Sequence, residues 1–322
     1  MSAVSIAVPV YHNAASLPDL LGELRALADR HAEHEFEFVF VDDGSQDGSF
    51  DVLRSLAAAD PRVRAVRLSR NFGSNAAILA GLSCARGDLV GVIAADLQDP
   101  PEVFDEMLRL ARSGHKVVIA ARRRREDPFP ARLLADAFYR LFRWLAIPSM
   151  PHRGFDFFLI DRQVVDLING IQENNAYLMG LILWLGFQPA LVEYDRRRRE
   201  ERYGRSMWTL PRKLKYFADA FVAFSNVPVR AASLLGLLLS AAGLCYGVVI
   251  VFLRLVHGFP VTGWTSLMVA VVVMGGIQMM ILGVLGEYLW RTLDETRRRP
   301  RFIIDDVGWR PAKAADAPPE AR

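Results

Sequence analysis

Along the first 121 residues, short apolar runs alternate with segments whose apolar positions recur at helical spacing. The runs SIAVPV, FEFVFVD, VRAVRL, LVGVIAA and KVVIAA read as buried strands, and Ser16–His31, Asp47–Ala59, Asn75–Arg86 and Pro101–Ser113 read as the helices between them. This rhythm predicts an α/β domain with a mainly parallel sheet, helices on both faces, and ligands beyond the carboxyl ends of the strands. Polar residues stand at those ends: Tyr11, His12 and Asn13 after the first strand, Asp42, Asp43, Gly44 and Ser45 after the second, Asp96, Gln98 and Asp99 after the fourth. In LVGVIAADLQDPPE, a core strand from Leu89 to Ala95 is expected to deliver Asp96 and Gln98, with Pro100–Pro101 opening the next helix. Ala94 occupies the place where a second carboxylate would complete a metal pair.

The pattern then changes. From Pro128 to about Val227 it is less regular, and ARLLADAFYRLFRWLA and SMWTLPRKLKYFADAFVAF mix basic residues with aromatics. These segments read as interfacial helices lying on a membrane, or as helices packed on the sheet; the second leads directly into an apolar run. No charge interrupts Ala231–Leu253 or Gly258–Gly286. Each run exceeds the roughly 20 residues that cross a bilayer, which predicts two transmembrane helices. The expected organisation is a cytoplasmic domain with juxtamembrane amphipathic helices over 1–227, a two-helix hairpin over 228–291 and a basic cytoplasmic tail over 292–322, disordered after Trp309.

Composition supports a membrane protein: 52% of the 322 residues are hydrophobic, and the mean hydropathy is +0.17. The N-terminus lacks the basic and long apolar regions of a signal peptide. Arg212, Lys213, Lys215 and Arg230 precede the first span, and Arg291 and the Arg297 cluster follow the second, while only Arg254 and His257 lie between. That asymmetry places both termini in the cytoplasm of an integral inner (plasma) membrane protein. The net charge is +3, yet arginines cluster at 122–125, 196–199 and 297–301. No nucleic-acid recognition motif accompanies them. Membrane phosphates are the nearer partner, at about 1 kcal/mol per basic residue beside an anionic leaflet. Cys84 and Cys245 show no pairing pattern and read as small packing residues.

The ordered motifs VPVYHN, VDDGSQDGS, SRNFGSNAAILAGL and ADLQDPPE resemble the cytoplasmic domain of family 2 glycosyltransferases. With its two C-terminal apolar runs and the ending GEYLWRTLDETRRRPRFII, nearly the whole chain resembles the polyprenyl-phosphate group, which includes bactoprenol glucosyltransferases and relatives of dolichol-phosphate mannose synthase. The resemblance implies a GT-A-type fold and inverting transfer of one sugar from a nucleotide sugar to polyprenyl (undecaprenyl) phosphate on the cytoplasmic face. The donor implied is a UDP-hexose such as UDP-glucose, with GDP-mannose as the alternative. Pro9, Tyr11, Asn13, Asp42, Asp43 and Ser45 are the implied donor contacts. Asp96 and Gln98 would hold Mg²⁺ or Mn²⁺, and Asp96, Asp156 and Arg122 would serve catalysis. Arg132, Arg199 and Arg202 join Arg122 as candidates for the acceptor phosphate, because a guanidinium fork matches phosphate oxygens. The group also implies a homo-oligomer, a tetramer, and a product destined for a cell-envelope glycan.

The same residues admit simpler roles. Asp42–Ser45 suits a turn that caps the next helix, and Asp99 suits a cap for a helix starting at Pro100 or Pro101. Asp156, set among phenylalanines in GFDFFLIDR, would either handle a proton in a buried site or orient an arginine. Four positions depart from the group's pattern: Ala94 for an aspartate, Phe158 for an arginine, Met207 for a lysine, and Ser74 where lysine is frequent, with Arg205 a neighbour able to supply a lost phosphate contact. Those departures favour a non-enzymatic membrane partner as the competing reading. A processive synthase would need Q-x-x-R-W, and YRLFRW has arginine at the glutamine position; a dehydrogenase would need G-x-G-x-x-G after a strand. A chain ending at Ser225 is expected to keep donor binding and lose efficient transfer to long-chain lipid phosphate.

Overall fold

The computed structural model describes residues 2–123, 140, 150–151, 155–171, 173, 177–197, 227–257 and 263–308. Two compact units emerge, one formed by Met1–Ala220 with Arg299–Arg322 and the other by Phe221–Arg298. In the first unit the expected alternation is present: β1 (Ala3–Val10), α1 (Leu17–Arg30), β2 (Glu35–Asp42), α2 (Ser49–Ala59), β3 (Val63–Leu68), α3 (Ser74–Cys84), β4 (Leu89–Val92), α4 (Val103–Arg112) and β5 (Val117–Arg122).

Side-chain alternation along the strands builds a core on each face of the sheet. Phe36, Phe38 and Phe40 of β2 join Val4, Ile6 and Val8 of β1 and the leucines of α1 in one cluster. Val39 and Val41, the intervening positions of β2, join Val66, Leu68, Ala77, Ala80 and Cys84 in the other. The small residues of α3 let it lie close to the sheet: a Cβ on Gly81 would stand 2.9 Å from that of Ala7. Cys84 is buried and unpaired, as a packing residue.

Further elements were not apparent in the sequence. They are β6 (Phe157–Asp161), α5 (Arg162–Gly170), α6 (Leu178–Trp184), β7 (Ala190–Tyr194) and β8 (Ile304–Val307). The sheet order is β7-β5-β6-β4-β1-β2-β3-β8. The β1/β2, β1/β4, β2/β3 and β5/β7 pairs are parallel, whereas β6 runs antiparallel between β4 and β5, and β8 antiparallel on β3. Asp161 closes β6 and caps α5, its carboxylate accepting the Gln163 N–H at 2.9 Å.

Two expectations for the fourth strand are corrected. It ends at Val92 rather than Ala95, because after the Ile93 N–H donates to the Ala7 carbonyl the chain bends away, and Leu97 takes a left-handed φ of 57°. Pro100 and Pro101 lie in a turn and not in the helix: their carbonyls accept the Val103 and Phe104 N–H groups, and α4 starts at Val103.

The second unit holds α7 (Val227–His257) and α8 (Trp264–Thr296). Ala232–Ile250 and Ser266–Thr296 within them are long and apolar enough to cross a membrane by length and composition. Leu237, Val248, Phe252, Val272, Met279 and Leu289 all stand exposed, the surface a lipid environment would cover. The two amphipathic segments expected at an interface, apart from Arg140, lie outside the described residues, as do Arg132, Arg199, Arg202, Arg205 and Met207.

Candidate active site at the strand ends

The carboxyl ends of β1 and β2 are in register, Pro9 beside Val41 and Val10 beside Asp42. The loops that follow are sewn together by hydrogen bonds. The Asp43 N–H donates to the Val10 carbonyl at 2.8 Å, and Ser45 Oγ accepts the His12 N–H at 3.0 Å. The Asn13 side chain turns back to accept the Tyr11 N–H at 3.1 Å. His12 is forced to a φ of 56°, a sparsely populated conformation for a residue with a Cβ. Asp42 is fully buried, and its carboxylate receives the Ser45 N–H at 3.3 Å. That is the turn the sequence allowed, without the helix cap, since Gly48 precedes α2 and no side chain caps it; burial pushes the Asp42 carboxyl up.

Asp43 organises the next loop. Its two oxygens accept the Phe72 N–H at 2.7 Å and the Gly73 N–H at 2.9 Å. Burial lifts its pKa to about 6, against the pull of those two donors. Gly44 makes this approach feasible: at φ 70°, a Cβ there would meet Arg70 C at 2.7 Å and Asn71 N at 2.8 Å. Ser74 is exposed at the first position of α3, directly after Gly73.

The Asp96–Asp99 turn is anchored on two sides. Ser16, buried after β1, donates to the Ala95 carbonyl at 2.7 Å. On the other side, the Arg197 N–H donates to the Gln98 carbonyl at 2.8 Å, and Gln98 Nε2 reaches the Arg197 carbonyl at 3.4 Å. Asp96 Oδ1 accepts the Gln98 N–H at 3.3 Å, and its Oδ2 faces the Arg196 guanidinium at 3.5 Å. Asp99 is 1% exposed and does not cap α4, contrary to the capping alternative. Its Oδ1 takes the Tyr194 hydroxyl at 2.6 Å and Arg196 Nε at 3.1 Å. Burial pushes the Asp99 carboxyl up, Asp156 adds to the shift, and Arg196 and Tyr194 oppose it. The Tyr194 ring is set by the core, edge-on to Phe157 at 5.7 Å.

An arginine–aspartate ion pair completes the site. Arg122, the last residue of β5, donates to Asp156 at 2.7 and 3.1 Å. Asp156 is exposed, so the buried-acid alternative is corrected; phenylalanine neighbours 155, 157 and 158 point into the core and leave the carboxylate outside to orient Arg122. Although burial works against its charge, Asp156 and Asp99 hold the Arg122 guanidinium above its usual pKa. Phe158, where the resemblance expects arginine, is fully buried on β6 and pairs in register with Val92 and Ile119.

Residues 5–168 match the domain described as glycosyl transferase family 2. The chain belongs to that family. The glycosyltransferase YkcC of Bacillus subtilis is 39% identical over 93% of this chain and 92% of its own. The bactoprenol glucosyl transferase of Shigella phage SfV is 34% identical over 94% of this chain and 97% of its own. The crystal structure of mannosyl-3-phosphoglycerate synthase from Rubrobacter xylanophilus aligns over 69% of this chain and 72% of its own, with a TM-score of 0.47 and 23% identity.

In this glycosyltransferase, the GT-A-type sheet brings Asp43, Ser45, Asp96, Gln98, Arg122 and Asp156 to strand ends. Asp96 and Gln98 present hard oxygen donors on one turn, which suits a divalent ion that fills its remaining positions with water and substrate phosphate. Among the described residues no group of three or more His, Cys, Asp or Glu side chains forms a fuller cage. Sequence reasoning missed Tyr194, Arg196 and Arg197. Arg197, whose run the sequence assigns to membrane phosphates, spans Glu23 at 2.7 Å and Glu102 at 3.0 Å. The one available signal is Tyr194 closing a short run rich in strand-forming residues, ALVEY, just before the arginines.

Proposed function

We propose that this glycosyltransferase moves one hexose from a nucleotide sugar, a UDP-hexose such as UDP-glucose, to a polyprenyl phosphate at the cytoplasmic face of the membrane. The observation that carries the reading is the charge layout at the strand ends: an acidic donor side built by Asp43 and Asp96, and an Arg122–Asp156 pair linked to it through Asp99 and Tyr194. A lipid acceptor agrees with the two membrane-length helices and with the printed name of the phage relative.

The chemistry follows from the groups present. Asp43 holds the Arg70–Gly73 loop against the donor pocket, and Tyr11, Asn13 and Ser45 shape the nucleotide side. When bound at Asp96 and Gln98, Mg²⁺ or Mn²⁺ supplies charge neutralisation to the diphosphate. Arg122, oriented by Asp156, presents a fork of N–H donors to the acceptor phosphate. A phosphate oxygen attacks the anomeric carbon, the bond to the donor diphosphate breaks, and the nucleoside diphosphate leaves with the electron pair. The acceptor is anionic near neutral pH, so alignment matters more than a strong base. Attack from the face opposite the leaving group inverts the centre and gives a β-linked product from an α-linked donor.

Incubating membranes containing the protein with UDP- and GDP-hexoses and undecaprenyl phosphate, then analysing the lipid by mass spectrometry and NMR, tests this reading. The expected product carries a single β-linked hexose on phosphate. An α-linkage or a lengthening glycan would overturn it.

A further inference from the structure

Arg196 is positioned unlike its neighbours in the arginine run. Arg197 has both terminal nitrogens committed to Glu23 and Glu102. Arg196 instead has its Nε on Asp99 Oδ1 and one terminal nitrogen 3.5 Å from Asp96 Oδ2, and neither contact is the short double fork that ties up Arg197. A buried carboxylate holds it there. Asp99 is almost fully enclosed, shares Oδ1 between Tyr194 and Arg196, and has a buried Oδ2 with no hydrogen-bond partner. Enclosing a carboxylate this way is unfavourable unless it is paired, and the charge that pairs it is a guanidinium whose side chain is 25% exposed at the strand end.

We propose that Arg196 is a resident counter-cation for the donor diphosphate, held at the Asp96 turn by the buried Asp99–Tyr194 pair. The inference rests on the donor-site reading above and deepens it. Ala94 supplies the complementary reason. Without a carboxylate at 94, the turn carries one negative charge fewer, so it attracts a divalent ion less and repels a diphosphate less. A guanidinium already on the turn then provides cationic, fork-shaped donors to the phosphate oxygens. Arg196 would touch substrate; Asp99 and Tyr194 act through it as positioning residues.

The test compares nucleotide affinity of the full-length protein in detergent, using UDP against UMP and GDP against GMP, in chelator and in Mg²⁺. In chelator the wild type is expected to bind one diphosphate more tightly than its monophosphate. Arg196→Gln should weaken the diphosphate at least tenfold and the monophosphate less than twofold, with Arg196→Lys intermediate because it keeps the charge without the fork. Tyr194→Phe, which leaves Arg196 in place but loosens its anchor, should lose a few-fold with the same preference for the diphosphate being affected. Unchanged diphosphate affinity for Arg196→Gln in chelator, with nucleotide still binding, would overturn the role of Arg196 and leave the donor site standing. Absence of nucleotide binding in both chelator and Mg²⁺ would overturn the donor-site reading and this inference together.

Discussion

Asp43 sets the Arg70–Gly73 loop with both carboxylate oxygens, and it does so while buried, which lifts its pKa to about 6. A carboxyl whose folded-state pKa lies above its unfolded value binds its proton more tightly in the folded state. The ionised form therefore weakens the fold above pH 6, and that penalty fades as the pH falls towards 4. Between pH 7 and 5, wild-type thermal stability in detergent should rise relative to Asp43→Asn, which lacks this titration; identical pH slopes would show that Asp43 has no raised value. At Gly44, an added Cβ would strike backbone atoms of Arg70 and Asn71. Gly44→Ala should cost about 1–3 kcal/mol, read as a lower melting temperature, and should weaken donor binding because the Asp43–Phe72 contact shifts. These roles were partly legible. The strand-end polar residues could be placed from strand periodicity alone, but a carboxylate's partner could not, since Phe72, Gly73 and Tyr194 reach Asp43 and Asp99 only through tertiary approach.

Among the elements, β8 changes what the C-terminal segment does. Val307 and Asp306 pair with Val66 and Arg67, the Ser69 N–H donates to the Ile303 carbonyl, and Phe302 and Ile304 pack on the α3-side core. The strand thus covers the β3 edge immediately before the Arg70–Gly73 loop that Asp43 holds. A chain ending at Arg298 should melt earlier and aggregate more readily, because the β3 edge is unpaired; equal stability and solubility would deny β8 that role. The expectation that a chain ending at Ser225 keeps donor binding changes accordingly: it should do so only when residues 299–308 are supplied, for instance fused after a linker. The sequence did not reveal β8 because IDDV carries two aspartates and little apolar character, so only its pairing with β3 makes it a strand. β1, β2, β3 and β5 were legible for the opposite reason: they are largely buried strands dominated by apolar residues, with charges only at intervals in β2 and β3 and at the end of β5. β6 was not legible because FFLID is a short run without alternation, which periodicity does not distinguish from a buried helix segment.

At the scale of the whole molecule, a sheet-based transferase unit and a unit of two apolar helices share one chain. On the proposed reading, such a chain would meet its lipid phosphate acceptor in two dimensions, where the local concentration is high. Transfer to bilayer-embedded undecaprenyl phosphate should therefore exceed transfer to a short-chain water-soluble polyprenyl phosphate at equal bulk concentration, measured with the full-length protein in liposomes. The most direct measurement is the initial rate of labelled-sugar transfer from UDP- and GDP-hexoses to undecaprenyl phosphate, with wild type and Asp96→Ala side by side in the same membranes. Wild type should give a lipid-linked product from one donor, and Asp96→Ala, folded to the same extent, should lose at least a hundredfold in rate. No product from any donor by folded, membrane-inserted wild type, or near-normal turnover by Asp96→Ala, would contradict a transferase built on these strand ends.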